Sequence, residues 1–279
     1  MINYSPIEEF YSGIRKDQAE PCKAGRFFFL TSGHKEAWLL IHGYAGYPGE
    51  LVYPALDLFE AGFDVFVPRL PGCGCSGEDF LKSDEEEWKR LARNAVSYLK
   101  KHYEKVNILG HSMGAAIAIA CFFKDPEVNK IILAAPALNR FWLNEENVAF
   151  YEANKEKRLD TPVFWEHSDL YHLHYEGVPA DDFFLGREYW SHFYPRQYYA
   201  MERLENEALE VLKDTDHEAL ILRPLADQAI SLPSLELYRK LNQTTPVIDI
   251  PLGTHFLFYD IAESAEVLAR QAVVEYALK

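Results

Sequence analysis

Cysteine is scarce. Cys22, Cys73, Cys75 and Cys121 are the four in 279 residues, too few and too scattered for a disulfide framework. Long apolar runs are missing as well: the longest, residues 115–123, has 9 residues, against the roughly 20 that a membrane-spanning helix needs. Positive charge is in short supply. Lys and Arg number 28 against 43 Asp and Glu, a formal charge of −15. Nucleic acid and anionic membrane surfaces both demand clustered cations, so neither is an expected partner. The first ten residues carry neither the basic stretch nor the apolar core of an export signal, and a soluble, cytoplasmic protein is the expectation. Internal repeats and low-complexity tracts are also absent.

What is present is an ordinary globular balance, 48% hydrophobic and 25% charged, which excludes wholesale disorder. A chain of this length buries most of its unfolded surface without covalent staples. Short apolar runs alternate with amphipathic stretches, the pattern of a mainly parallel sheet flanked by helices. Residues 37–41, 64–68, 106–109, 130–134, 219–222 and 246–250 read as buried strands, and 27–30 as an outer, antiparallel one. Ser83 with Glu86 three positions on forms a capping-box signature. Trp88, Leu91, Ala92, Ala95 and Leu99 then share one helical face. Asp260 with Glu263 predicts a similar start near the C-terminus, with Ile261, Ala265, Leu268, Ala269, Ala272 and Tyr276 on one face.

The alternation breaks over residues 139–213. These 75 residues hold 16 of the 40 aromatic side chains, more than their share by length. They read as a mostly helical insertion. Residues 1–138 and 214–279 then form the main domain, and 139–213 a cap.

The predicted strand 106–109 runs directly into Gly110-His111-Ser112-Met113-Gly114, and a run of small and apolar residues follows. Gly-x-Ser-x-Gly carries meaning in this strand-to-helix setting. A sharp turn there strains the serine backbone and lifts its hydroxyl above the sheet, at a helix N-terminus that favours developing negative charge. The flanking glycines leave room for neighbouring chain.

With these features the sequence resembles the α/β-hydrolase family, in particular its carboxylesterase and monoacylglycerol-lipase-like branch with a helical cap. The resemblance covers nearly the whole chain from about Phe27 onward. It is carried by His42-Gly43-Tyr44-Ala45-Gly46, Pro71-Gly72-Cys73-Gly74-Cys75-Ser76-Gly77, the Ser112 motif, Asp227 and Gly253-Thr254-His255. It implies an α/β-hydrolase fold and a catalytic triad in the order Ser112, Asp227, His255. Ser112 is the nucleophile, His255 the base and Asp227 the acid that orients it. The acid loop departs from the family pattern: it reads Arg-Pro-Leu-Ala-Asp, without the usual preceding glycine. Asp214 and Asp216 precede the strand, at its wrong end for the site. By the same analogy the backbone N–H groups of Tyr44 and Met113 form the oxyanion hole.

The expected substrate is a neutral, small-molecule carboxylic ester, a short- to medium-chain acyl ester or a monoacylglycerol, cleaved through an acyl-enzyme. The insertion has 15 acidic against 8 basic side chains, which disfavours an anionic substrate. Its aromatics suit an apolar acyl pocket, with Trp142, Trp165, Phe193 and Tyr194 as candidate substrate-binding residues. The same triad also serves a thioesterase, a C–C hydrolase, a peptidase or an acyltransferase, and the fold can persist as a non-catalytic ligand-binding module. No cofactor is expected. Cys73-Gly-Cys75 lacks a second pair, and His172-Leu-His174 with Asp169 reads more simply as a hydrogen-bonded or solvent-facing group than as a metal site.

Overall fold

Strands buried on both faces read as continuous apolar runs, and these runs assemble into one sheet. The computed structural model describes residues 7–138, 144–160, 189, 192–215, 217, 219–230 and 245–279. Its strands are β1 (Phe28–Leu30), β2 (Glu36–Ile41), β3 (Asp64–Val67), β4 (Lys105–His111), β5 (Val128–Ala134), β6 (Leu159–Asp160), β7 (His192–Phe193), β8 (Ala219–Pro224) and β9 (Val247–Ile250). Seven of them form the main sheet in the order β1-β3-β2-β4-β5-β8-β9. The edge strand β1 runs antiparallel to β3, and every other pairing is parallel. A separate antiparallel ribbon joins β6 and β7.

The helices are α1 (Ile7–Phe10), α2 (Val52–Glu60), α3 (Gly77–Phe80), α4 (Glu85–His102), α5 (Met113–Phe122), α6 (Glu145–Asn154), α7 (Pro195–Lys213) and α8 (Glu263–Ala277). Alternate residues along each strand feed two cores. Leu39, Ile41, Ile108, Ile131 and Ile221 face α4, α5 and α7, whereas Trp38, Leu40, Leu109, Ile132 and Leu222 face α2 and α8. Helix α5 is apolar on nearly all sides because it lies between the sheet and α7. Its Ala115, Ala116 and Ala118 let Ala200, Leu204 and Ala208 of α7 come close.

Two helix starts differ from the sequence expectation. The cap of α4 is Asp84, which accepts from the Glu87 N–H, while Ser83 Oγ donates to the Phe80 carbonyl. Asp84 carries a charge as well as an acceptor, which complements a helix N-terminus better than a hydroxyl. Helix α8 starts after Ala262 without a side-chain cap, since Asp260 is spent on the Thr254 loop. Ala265, Ala269, Ala272 and Tyr276 are buried as expected. Ile261 (50% exposed) and Leu268 (36%) are not, because Ile261 precedes the helix and Leu268 lies at the margin of its buried face. Among the described residues no helix is long and apolar enough to cross a membrane.

Candidate active site

The parallel strands end on one side of the sheet, and the connections that leave those ends converge there. Strand β4 passes straight into α5 through Ser112, whose backbone sits at φ 54°, ψ −117°. A non-glycine residue in this region is strained. Four bonds hold the turn: the Ser112 N–H donates to the Ala134 carbonyl at 2.9 Å, and the Ser112 carbonyl accepts from the Ala115, Ala116 and Ala137 N–H groups. The flanking glycines are sterically required. A Cβ on Gly114 would lie 2.1 Å from the Ile41 carbonyl oxygen, and one on Gly110 would lie 2.4 Å from that of Gly114.

Ser112, Asp227 and His255 meet at this point. Ser112 Oγ and His255 Nε2 are 2.9 Å apart, and His255 Nδ1 lies 2.9 Å from Asp227 Oδ2. The other Asp227 oxygen accepts from the Ala229 and Ile230 N–H groups, both at 2.8 Å. Burial by itself raises the Asp227 carboxyl, but the His255 hydrogen bond and charge, with the two N–H groups, hold it below its ordinary range. An ionised Asp227 needs a donor opposite it, so the Nδ1–H tautomer of His255 is favoured and Nε2 is left as an acceptor for the serine proton. The missing glycine in the acid loop does no harm: the Ala226 N–H donates to the Gly253 carbonyl, which locks the acid and histidine loops together. Asp214 is the exposed residue ending α7, and Asp216 lies outside the described residues.

Three supporting residues escaped sequence reasoning. Asp260 accepts from both the N–H and the hydroxyl of Thr254, beside His255. The His111 ring places Nε2 at 2.7 Å from the His255 carbonyl. Glu50 lies buried behind the loop after β2. The Asp260 and Glu263 spacing reads only as a helix signal, His111 occupies the variable position before Ser112 in the serine motif, and nothing local marks Glu50. His42 packs under the same loop: Nε2 accepts from the Leu70 N–H and Nδ1 donates to the Gly43 carbonyl, and burial lowers its pKa to about 4.

A cavity of about 190 Å³ opens over Ser112, bounded by Tyr44, Glu50, Tyr198, Glu205, Phe256 and Tyr259 among others. Among the described residues that line it, none is a lysine or arginine. Gly43 passes so close that a Cβ there would stand 3.5 Å from Ser112 Oγ, bringing the Tyr44 backbone to the same spot. Met113 opens α5, where first-turn N–H groups have no intrahelical acceptor. Phe193 sits behind the cavity wall, its ring centroid 5.2 Å from that of Tyr198. Tyr194 is fully buried against Phe80 and acts in packing. Neither lines the cavity; among the described residues its aromatic walls include Tyr44, Tyr198, Phe256 and Tyr259. Trp142 and Trp165 lie outside the described residues, as do Asp169, His172 and His174. Cys73 and Cys75 are buried, and burial pushes the Cys75 thiol up to about 12.

The profile of the alpha/beta hydrolase family matches residues 38–271. Similar sequences include a thermostable monoacylglycerol lipase of Bacillus sp. (strain H-257), 28% identical over 40% of this chain and 45% of that protein. A carboxylesterase of Bacillus subtilis (strain 168) is 26% identical over 39% of this chain and 44% of its own. The chain spans about half the length of the curated relatives it matches. Among solved structures, one from a study of the metagenome-derived lipolytic enzymes LipS and LipT superposes with a TM-score of 0.73. It is 19% identical and covers 93% of this chain and 100% of its own.

Proposed function

Because the chain belongs to the α/β-hydrolase family, we propose that it is a serine hydrolase cleaving neutral carboxylic esters through an acyl-enzyme. One observation carries the reading: a hydrogen-bonded line from Ser112 through His255 to Asp227, on a strained serine at the end of β4. The lipase and esterase relatives support the ester class.

In this reading His255 Nε2 takes the Ser112 proton as Oγ attacks the ester carbonyl carbon. The negative charge that gathers on the carbonyl oxygen is received by the Tyr44 and Met113 N–H groups. Collapse breaks the bond to the alcohol, which leaves with the proton from His255, and the acyl group stays on Ser112. Water, deprotonated by the same imidazole, then attacks the acyl carbon and restores the serine. Asp227 keeps the ring oriented and stabilises the imidazolium. A wall with Glu205 and without a described cation suits a neutral substrate better than an anionic one.

Residues 139–213 are proposed as the cap, with Trp142, Trp165, Phe193 and Tyr194 shaping acyl preference directly or through the wall. Four cysteines without a disulfide fit a reducing compartment, which supports the cytoplasm as its location. A fluorophosphonate probe with a graded p-nitrophenyl ester panel tests the function. The wild-type chain should be labelled and turn over esters, while Ser112→Ala should lose labelling and about 10⁴-fold or more of the rate. An unlabelled wild-type chain means a non-catalytic module. Ester turnover by Ser112→Ala near the wild-type rate removes Ser112 as nucleophile.

A further inference from the structure

Glu50 is a buried acid that the mechanism above leaves unused. It sits in the short 3₁₀ turn Pro48–Leu51, 6% exposed, with its carboxyl against the loop that carries Tyr44. A Cβ on Gly46 would fall 2.6 Å from both carboxyl oxygens, so that glycine is where the acid packs against the backbone. The N–H groups of Tyr47 and Gly43 face the same carboxyl, and the Tyr259 side chain stands beside it. It touches the oxyanion loop on one side and the chain following His255 on the other.

His111 supplies the third side. Its Nε2 meets the His255 carbonyl at 2.7 Å, and a carbonyl only accepts, so Nε2 carries the proton. Burial, with His255 nearby, lowers the His111 pKa to about 3, and the ring is neutral. Nδ1 is then a bare acceptor, buried and without a hydrogen-bond partner. Glu50 Oε2 stands 3.9 Å away, and a shift of about 1 Å closes that gap to a hydrogen bond. A buried acceptor facing a buried acid is satisfied only when the acid holds its proton.

We propose that Glu50 is a positioning residue that works as a neutral carboxylic acid, donating to His111 Nδ1 and so tying the Tyr44 loop to the main chain of His255, and that losing this proton switches the site off. The proposal rests on the serine-hydrolase reading. Ionised, Glu50 has no proton to donate and adds a negative charge behind the loop that receives the oxyanion. Burial pushes its pKa up to about 8, against the lowering by Tyr47, Gly43 and Tyr259. The titratable groups facing it are His111 from the nucleophile turn, Tyr259 and Cys73, with His255, Asp227 and His42 around His111. Glu205 of α7 lines the same cavity. None of these groups is a lysine or arginine that holds Glu50 ionised at neutral pH.

The test is the pH dependence of kcat/KM on an uncharged ester, alongside the rate of fluorophosphonate labelling. Wild type should fall through about pH 8, losing about 30-fold by roughly pH 9.5 for one ionising group. Glu50→Gln keeps an N–H donor toward His111 but cannot ionise. Its kcat should drop about 3- to 10-fold at neutral pH with little change in KM, as for one imperfect hydrogen bond, and its alkaline fall should vanish. Where the glutamine chain does not fold, Glu50→Met also removes the ionising group and should likewise lack the fall. A wild-type profile that stays level to pH 9.5, or the same alkaline fall in a Glu50 variant, overturns the proposal while leaving the hydrolase reading standing. No labelling at pH 7 refutes both.

Discussion

Replacing Asp227 by asparagine changes one atom type at a place where the surroundings dictate how the new group sits. The Ala229 and Ile230 N–H groups both point at one Asp227 oxygen from 2.8 Å. An amide nitrogen there would face two donors, so the Asn oxygen takes that position and its NH₂ turns to His255 Nδ1. Two N–H groups cannot face each other at the 2.9 Å that separates Asp227 Oδ2 from Nδ1. The ring therefore moves its proton to Nε2, the atom that lies 2.9 Å from Ser112 Oγ. No base remains for the serine. The expected loss is about 10⁴-fold in kcat, or about 5.5 kcal/mol of transition-state stabilisation. Stability should fall by only about 1–2 kcal/mol at neutral pH, since both backbone bonds survive in uncharged form. The folded-state pKa of Asp227 is depressed, so its contribution is present above the unfolded carboxyl pKa and disappears as pH falls through the folded one. The melting temperatures of mutant and wild type should converge in acid. Initial rates on a p-nitrophenyl ester, with a thermal melt as the folding control, decide the matter. Asp227→Asn retaining more than a tenth of the activity, while Asp214→Asn loses its own, refutes the assignment.

Three further outcomes follow from the same geometry. Gly114→Ala should destabilise the chain by about 3 kcal/mol in a denaturant titration, because its Cβ meets the Ile41 carbonyl at 2.1 Å. Gly62→Ala meets no atom and strains only a positive φ, so it should cost about 1–2 kcal/mol; equal losses at the two sites refute the close-approach argument. Glu50→Gln should raise the melting temperature relative to wild type at pH 8 and above, and not near pH 4. A buried acid with a raised pKa loses stability as pH climbs from the unfolded value toward the folded one, here by at most on the order of 5 kcal/mol. Phe193→Ala should shift relative rates along an acyl-length series by about fourfold per methylene whose burial changes, through the Tyr198 ring it supports. An unchanged series makes Phe193 a packing residue only.

The strands could be read because their apolar runs are local and both sheet faces are buried, so Leu39, Leu109 and Ile132 each announce a strand with no knowledge of its neighbours. Ser112 was legible for a similar reason. Two glycines at fixed distance from a serine, between a strand and a small-residue helix, record a steric demand that the structure meets at Gly110 and Gly114. Asp227 and His255 were reached through their order and their loops, and lie in line with Ser112.

Other features needed the folded chain. The capping-box spacing points to Ser83, yet the cap is Asp84, because Ser83 donates to the Phe80 carbonyl. Phe193 and Tyr194 are as aromatic as Tyr198, yet only Tyr198 reaches the cavity, and which side chain faces Ser112 depends on how α7 lies against α5. Glu50, His111 and the His255 carbonyl come from loops 61 and 144 positions apart. A single acid in an ordinary turn carries no mark in sequence. Periodicity and steric signatures act within a few residues and leave a local trace. The burial of Glu50, and with it the proton it holds, is a property of the three loops that close over it, and it comes into being only when they meet.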